Sequence, residues 1–211
     1  SGDTVGGISV AQALSNGNIT ITAPNGNVTL GVVNANSANV NISASGNILP
    51  EAIPDAMLPA VSQPHIAASK ITLYTESGNI GASELGGALR TATGILHVDS
   101  LDGNVFIANT ADVLNAERVD GQNVVQLTNT GSTGPGDIIA NYIASQLDAL
   151  VISDGRILSV DGTDPTVNGT SVHLAAGTGI GQGPANAHSS ADPLRVNELN
   201  ISATGLADGH T

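Results

Sequence analysis

Six aspartates, Asp99, Asp102, Asp120, Asp154, Asp161 and Asp164, are the side chains of this sequence best suited to chemistry. Paired carboxylates on the flank of a scaffold can hydrolyse glycosidic bonds, one as acid and the other as base or nucleophile. Grouped in a turn, the same groups hold calcium: Asp99, Asp102 and Asn104 form one candidate ligand set, and Asp161 with Asp164 a second. Neither segment matches the Gly-Gly-x-Gly-x-Asp nonapeptide or the twelve-residue helix-flanked calcium loop. Solvated acids at turns are the plainer expectation, because Asp-Gly pairs favour turns. Sugar cleavage lacks partners too, since it usually needs stacking rings and, in lyases, neutralising cations. The chain has three aromatics, Tyr74, Phe106 and Tyr142, and one lysine, Lys70.

Other catalytic signatures are missing from the sequence. The histidines His65, His97, His173, His188 and His210 never adopt a spacing such as His-Glu-x-x-His, and no Gly-x-Ser-x-Gly elbow occurs. Gly177-Thr178-Gly179-Ile180-Gly181-Gln182-Gly183 has the wrong glycine spacing for a dinucleotide fingerprint and no following lysine, so it reads as a tight corner. The chain is expected not to be an enzyme, and calcium is the one ion considered. His97 and His173 alternate with strand aliphatics and should point outward.

What must position these residues is a repeat. Gly-Asn followed by an aliphatic residue recurs at Gly17-Asn18-Ile19, Gly26-Asn27-Val28, Gly46-Asn47-Ile48, Gly78-Asn79-Ile80 and Gly103-Asn104-Val105. Looser relatives stand at Gly136-Asp137-Ile138 and Gly155-Arg156-Ile157. Glycine and asparagine reach positive φ cheaply, so each copy reads as a corner between strands. In runs such as Ile19-Thr20-Ile21-Thr22 and Val40-Asn41-Ile42-Ser43 every second side chain is apolar, which places one face inward. No amphipathic helix interrupts the pattern.

The five clear copies lie 9 to 32 residues apart. A solenoid tolerates such irregularity, because insertions can leave at corners while each coil still covers its neighbour. Hydrophobic residues make up 40% of the chain, yet with so few rings a thick globular core would be hard to fill. The fold expected is all-β: a parallel β-helix with corner loops and one proline-rich insertion, forming a single segment over residues 1–211 without a pocket for chemistry. A two-sheet sandwich is the rival on the same short-strand signals.

Residues 49–68 break the rhythm with Pro50, Pro54, Pro59 and Pro64 and should leave the rod. Their Ile53, Met57, Leu58 and Val61 would fold back over a coil or offer a patch to a partner.

Eighteen acidic residues face five basic ones, for a formal charge of −13. The basic residues are scattered singly, which disfavours nucleic acid and anionic membrane surfaces, both of which need clustered cations. No apolar run approaches the length of a membrane helix, so no membrane insertion of this segment is expected. Cysteine is absent, so burial and ladder hydrogen bonds must hold the fold.

Ile71-Thr72-Leu73, Gly78-Asn79-Ile80-Gly81, Ala88-Leu89-Arg90, Leu96-His97-Val98 and Gly103-Asn104-Val105-Phe106-Ile107 form a pattern that returns in Val172-His173-Leu174, Gly177 to Gly181, Pro193-Leu194-Arg195-Val196 and Leu199-Asn200-Ile201-Ser202-Ala203. This pattern resembles the repeats of very large secreted bacterial adhesins of the filamentous-haemagglutinin-like family. The resemblance spans most of positions 15 to 205 and implies a right-handed parallel β-helix, export to the cell surface or medium, and a structural or adhesive role. The partners implied are neighbouring coils of the same long chain and a cell-surface receptor or glycan.

Overall fold

The structure, a computed structural model, describes residues 6–51, 63–83, 87–159, 166–181, 196–197 and 200–205. The described chain is built from strands and turns, without a helix, and every strand pair in it is parallel. Two sheets, of ten and eleven strands, form the walls of a solenoid. Parallel pairing throughout removes the sandwich alternative, whose sheets are antiparallel.

Alternation in the sequence becomes columns in space. In the first sheet Ile8, Val28, Ile48, Ile80, Val105, Val125, Ala149, Val172 and Ile201 lie one above another. In the second, Ile21, Ile42, Leu73, Val98, Val119, Ile143 and Val167 do the same. Residue steps between coils run from 18, as from Leu89 to Ile107, to 33, as from Val33 to Ile66. Strands stack about 4.8 Å apart, so like side chains meet and fill the narrow interior without rings. Val, Ile, Leu and Ala make up the described core cluster.

The Gly-Asn copies occupy three separate stacks. Gly26-Asn27, Gly46-Asn47, Gly78-Asn79 and Gly103-Asn104 lie on one corner, where they make an asparagine ladder. Asn27 Oδ1 accepts the Asn47 amide at 2.8 Å, Asn47 Oδ1 that of Asn79 at 2.8 Å, and Asn79 Oδ1 that of Asn104 at 2.8 Å. Asn104 Oδ1 closes the run on the amide of Val124 at 3.0 Å. Gly17-Asn18 sits elsewhere, with Asn18 accepting from Asn39 at 3.1 Å. The two looser copies form the third stack, in which Asp137, 3% exposed, takes the Arg156 amide at 2.7 Å and its guanidinium at 2.7 Å.

The conformational reason expected for these corners needs correcting. Positive φ among the described residues falls at Asn36, Gly81, Gly136 and Gly181, and none of the five clear Gly-Asn copies has it. Glycine is required on the main corner for closeness instead: a Cβ on Gly103 would stand 2.1 Å from the Gly78 carbonyl oxygen, and one on Gly78 2.3 Å from the Gly46 carbonyl carbon. Asparagine is there to bond along the axis.

The insertion also departs from expectation. Ile48–Pro50 pairs with Val28 to Leu30, and Ile66–Ala67 pairs with Val33 and Asn34. Leu49, Pro50, Ile66 and Ala67 therefore belong to one interrupted rung, and the excursion leaves from mid-strand rather than from a corner. The next rung behaves alike: Ile80 bridges Val105, whereas Ile107 pairs with Leu89. Parallel pairing resumes in register on either side of each excursion, so the inner columns continue. Ile53, Met57, Leu58 and Val61 lie outside the described residues.

Where these excursions emerge, two side chains at outward positions of the first sheet are nonetheless buried: Phe106, 8% exposed, and His65, 4% exposed. His65 Nδ1 accepts the Arg90 amide at 3.0 Å, and Arg90 Nε donates to the Gln63 carbonyl at 3.0 Å. Burial, and then the adjoining Arg90 guanidinium, push His65 down to about 4 from its ordinary 6.5. The native state thus keeps the ring neutral while the unfolded chain takes a proton below about 6.5. Stability contributed by the neutral ring is complete above that pH and drains away as pH falls toward 4, by about 3 kcal/mol over the window. Urea midpoints at pH 7 and pH 5 are expected to differ clearly for the parent chain and much less for His65→Asn. Equal pH slopes for the two would disprove the assignment.

Candidate functional site

The second sheet loses its even register at Glu117. Leu96 pairs with Ala116 but His97 pairs with Arg118, leaving Glu117 as the extra residue of a β-bulge. The strand Val113–Gly121 then serves two neighbours, its first part pairing with Asp137–Ala140 and its last with Ile143–Ser145. A bulge twists a strand and re-aims its side chains. Here it sets His97, Arg118 and, one coil on, Tyr142 beside a second outward column of Asp99, Asp120, Ala144 and Asn168.

Much of the chain's scarce chemistry meets on this patch. Lys70 Nζ lies 2.5 Å from Glu117 Oε2, and His97 Nε2 lies 3.1 Å from Asp99 Oδ2. Arg118 Nε donates to Asp99 and its Nη2 to Asp120. The same guanidinium sits 4.7 Å from the centre of the Tyr142 ring. The Asp99 bond and both neighbouring carboxylates keep Arg118 firmly protonated, whereas Asp120 is raised, chiefly by burial, against the pull of Arg118.

Alongside runs a groove of about 690 Å³, lined among others by Asp99, Asp120, Gln122, Tyr142, Gln146 and Asn168. Small Ala144, only 7% exposed, makes the depression in its column. Leu101, 54% exposed, stands at the edge. The expectation of a rod without a pocket fails here, because the bulge and the branching of the sheet hollow a surface that regular stacking would leave flat.

The aspartates divide. Asp102 and Asp154 lie in turns as expected, but Asp99 and Asp120 are strand residues that pair with each other in register, which corrects the expectation of turn acids. Asp99, Asp102 and Asn104 do not converge as a calcium set. The Asp99 oxygens face Arg118 and His97, and Asn104 Oδ1 accepts the Val124 amide. Among the described residues no three His, Asp or Glu side chains are grouped to hold a metal ion. Asp161 and Asp164 lie outside the described residues. His97 and His173 face outward as read. Of the glycine run read as a tight corner, Gly177-Thr178 bends the chain, but Gly179–Ile180 is a short strand paired with Arg156 and Ile157, after which Gly181 has φ 74°; Gln182 and Gly183 lie outside the described residues.

The basic residues prove to be paired as well as scattered. Lys70 meets Glu117, Arg118 meets Asp99 and Asp120, Arg156 meets Asp137, and Arg90 is held at His65 and Gln63. The described cations are thus each engaged within the chain.

Sequence reading passed over Glu117, Arg118, Gln122 and Gln146. A signal for the bulge was present: inward residues fall at Leu114 and Ala116 and then at Val119, a skipped step in a period of two. It also passed over Asp112, whose carboxylate takes the amides of Ser132, Thr133 and Gly134 at 3.0, 2.8 and 2.7 Å. These donors hold its carboxyl far below the usual range and clamp the turn above it.

Comparison with family models, with curated proteins and with solved structures finds no match for this chain, so the fold and the groove are read from its own residues.

Proposed function

We propose that this chain is a structural and adhesive rod segment of an extracellular or cell-surface bacterial repeat protein, serving attachment between cells or to surfaces. The observation that carries the reading is the unbroken parallel stacking of coils through columns of like side chains. Such a stack transmits load along its axis and presents a long lateral surface, on which weak contacts add through effective concentration. Pairing of each described cation inside the chain, with a charge of −13, favours a polar surface that stays soluble and avoids phosphate polymers. The resemblance to filamentous-haemagglutinin-like repeats points the same way.

Beads coated with the chain are expected to adhere to cell layers at least about tenfold more than bare beads, through multivalent contact. Background adhesion across bacterial and animal cell layers by folded, densely coated protein would remove the attachment role.

A carbohydrate-processing β-helix is the second reading, favoured by the lateral groove with its two carboxylates. Arg118 holds both, which leaves neither as a free acid or nucleophile. Release of reducing ends from a polysaccharide panel would establish this reading over the first.

A further inference from the structure

We infer that the groove beside Tyr142 is a binding site for a neutral saccharide. The inference deepens the attachment reading by giving the lateral surface a ligand class.

Two properties of the groove select that class. Its ring, Tyr142, has Arg118 over one face and lines the groove, and sugars pack their C–H faces on such rings. Its polar groups are hydroxyl-matching donors and acceptors: Gln122 and Gln146 carry side-chain amides on adjacent coils, whose backbones are joined by the Gln146 N–H donating to the Gln122 carbonyl at 3.0 Å. Sites of this make-up gain specificity from a few polar groups placed around an apolar contact.

Charge decides between kinds of saccharide. Asp99 and Asp120 accept hydrogen bonds but repel uronates, sulfates and sialic acids, and Arg118 is already committed to both carboxylates. The net charge of −13 adds to the repulsion. A cationic ion is disfavoured by the lack of a grouped ligand set among the described residues. A neutral, hydroxyl-rich chain running along the rod satisfies the ring, the amides and the carboxylates together.

The test is a glycan array probed with the purified chain on beads, followed by titration calorimetry with the best neutral oligosaccharide. Binding to at least one neutral series is expected, with acidic glycans silent. Tyr142→Ala should weaken it roughly tenfold or more, Tyr142→Phe should retain most of it, and Gln146→Ala should cost several-fold. Because Tyr142 also covers Arg118, melting is compared for each variant; exposed Gln146 provides the readout should Tyr142→Ala unfold. Silence of every neutral glycan, a preference for acidic ones, or undiminished binding by Tyr142→Ala and Gln146→Ala would overturn the proposal. The two readings fail separately. Coated beads that adhere equally with Tyr142→Ala would sink the groove and leave the adhesive rod. Saccharide binding by a chain that adheres to no cell would do the reverse.

Discussion

Gly103→Ala is expected to lower stability by about 1–3 kcal/mol, the range for forcing an extra methyl into a packed interior, while Gly17→Ala is expected to raise it slightly. Both glycines stand in the same Gly-Asn-aliphatic motif. The Gly103 methyl would meet the Gly78 carbonyl oxygen at 2.1 Å and carbon at 2.4 Å, and these belong to backbone fixed by the coil beneath. Relief requires the two coils to part, which stretches the Asn79 to Asn104 bond as well. At Gly17 the nearest atom is Ser15 Oγ at 3.8 Å, ordinary contact, and the backbone there is outside the positive-φ region. Alanine then gains about 0.4–1 kcal/mol by restricting the unfolded chain. Urea denaturation of the two variants measures the contrast. Shifts of the same sign and size would show that coil contact does not explain the main corner's glycines.

Asn109→Leu should cost more, about 3–5 kcal/mol, because several buried polar partners lose their bond at once. Asn109 is 1% exposed. Its Oδ1 accepts from Thr91 Oγ1 at 2.7 Å and from the Thr93 amide at 3.2 Å. Its Nδ2 donates to the Thr93 carbonyl at 3.1 Å and to Asn129 Oδ1 at 2.8 Å. Asn129, also 1% exposed, passes the chain on to the carbonyls of Ala111 and Asp137, each at 3.0 Å. Leucine is close in volume, so lost hydrogen bonding rather than a cavity dominates. The Asn109→Leu/Asn129→Leu pair should therefore cost less than the two singles summed, since residues of one network couple. Strict additivity in a double-mutant cycle would mean that the two amides act independently.

This interior ladder, like the groove, bears on how far the sequence could be read. Asn109-Thr110 and Asn129-Thr130 close equivalent strands 20 residues apart, so their equivalence was visible. That their side chains point inward followed from strand period, since Asn109 is in step with Val105 and Ile107 and Asn129 with Val125 and Leu127, but their polarity argued for the outside and only the structure supplies the buried partners. Asp137 and Arg156 illustrate the same point. As looser copies of the corner motif they looked like degraded Gly-Asn, yet one coil of separation makes them an ion pair in which the charged groups do what the amides do elsewhere.

Sequence by itself determined that this chain forms short strands with one buried face, that its coils are thin, and that glycine and asparagine mark corners. Alternation, β-branching and the scarcity of rings are local properties, and each acts wherever its residues stand. Tertiary structure alone decided which corners stack, why glycine is needed at Gly103 and not at Gly17, where the insertions leave, and that Lys70, His97, Asp99, Glu117, Arg118 and Tyr142 share one patch. Those outcomes depend on register between coils 18 to 33 residues apart. A single bulged residue shifts that register for everything beyond it, and no local rule carries such information along the chain.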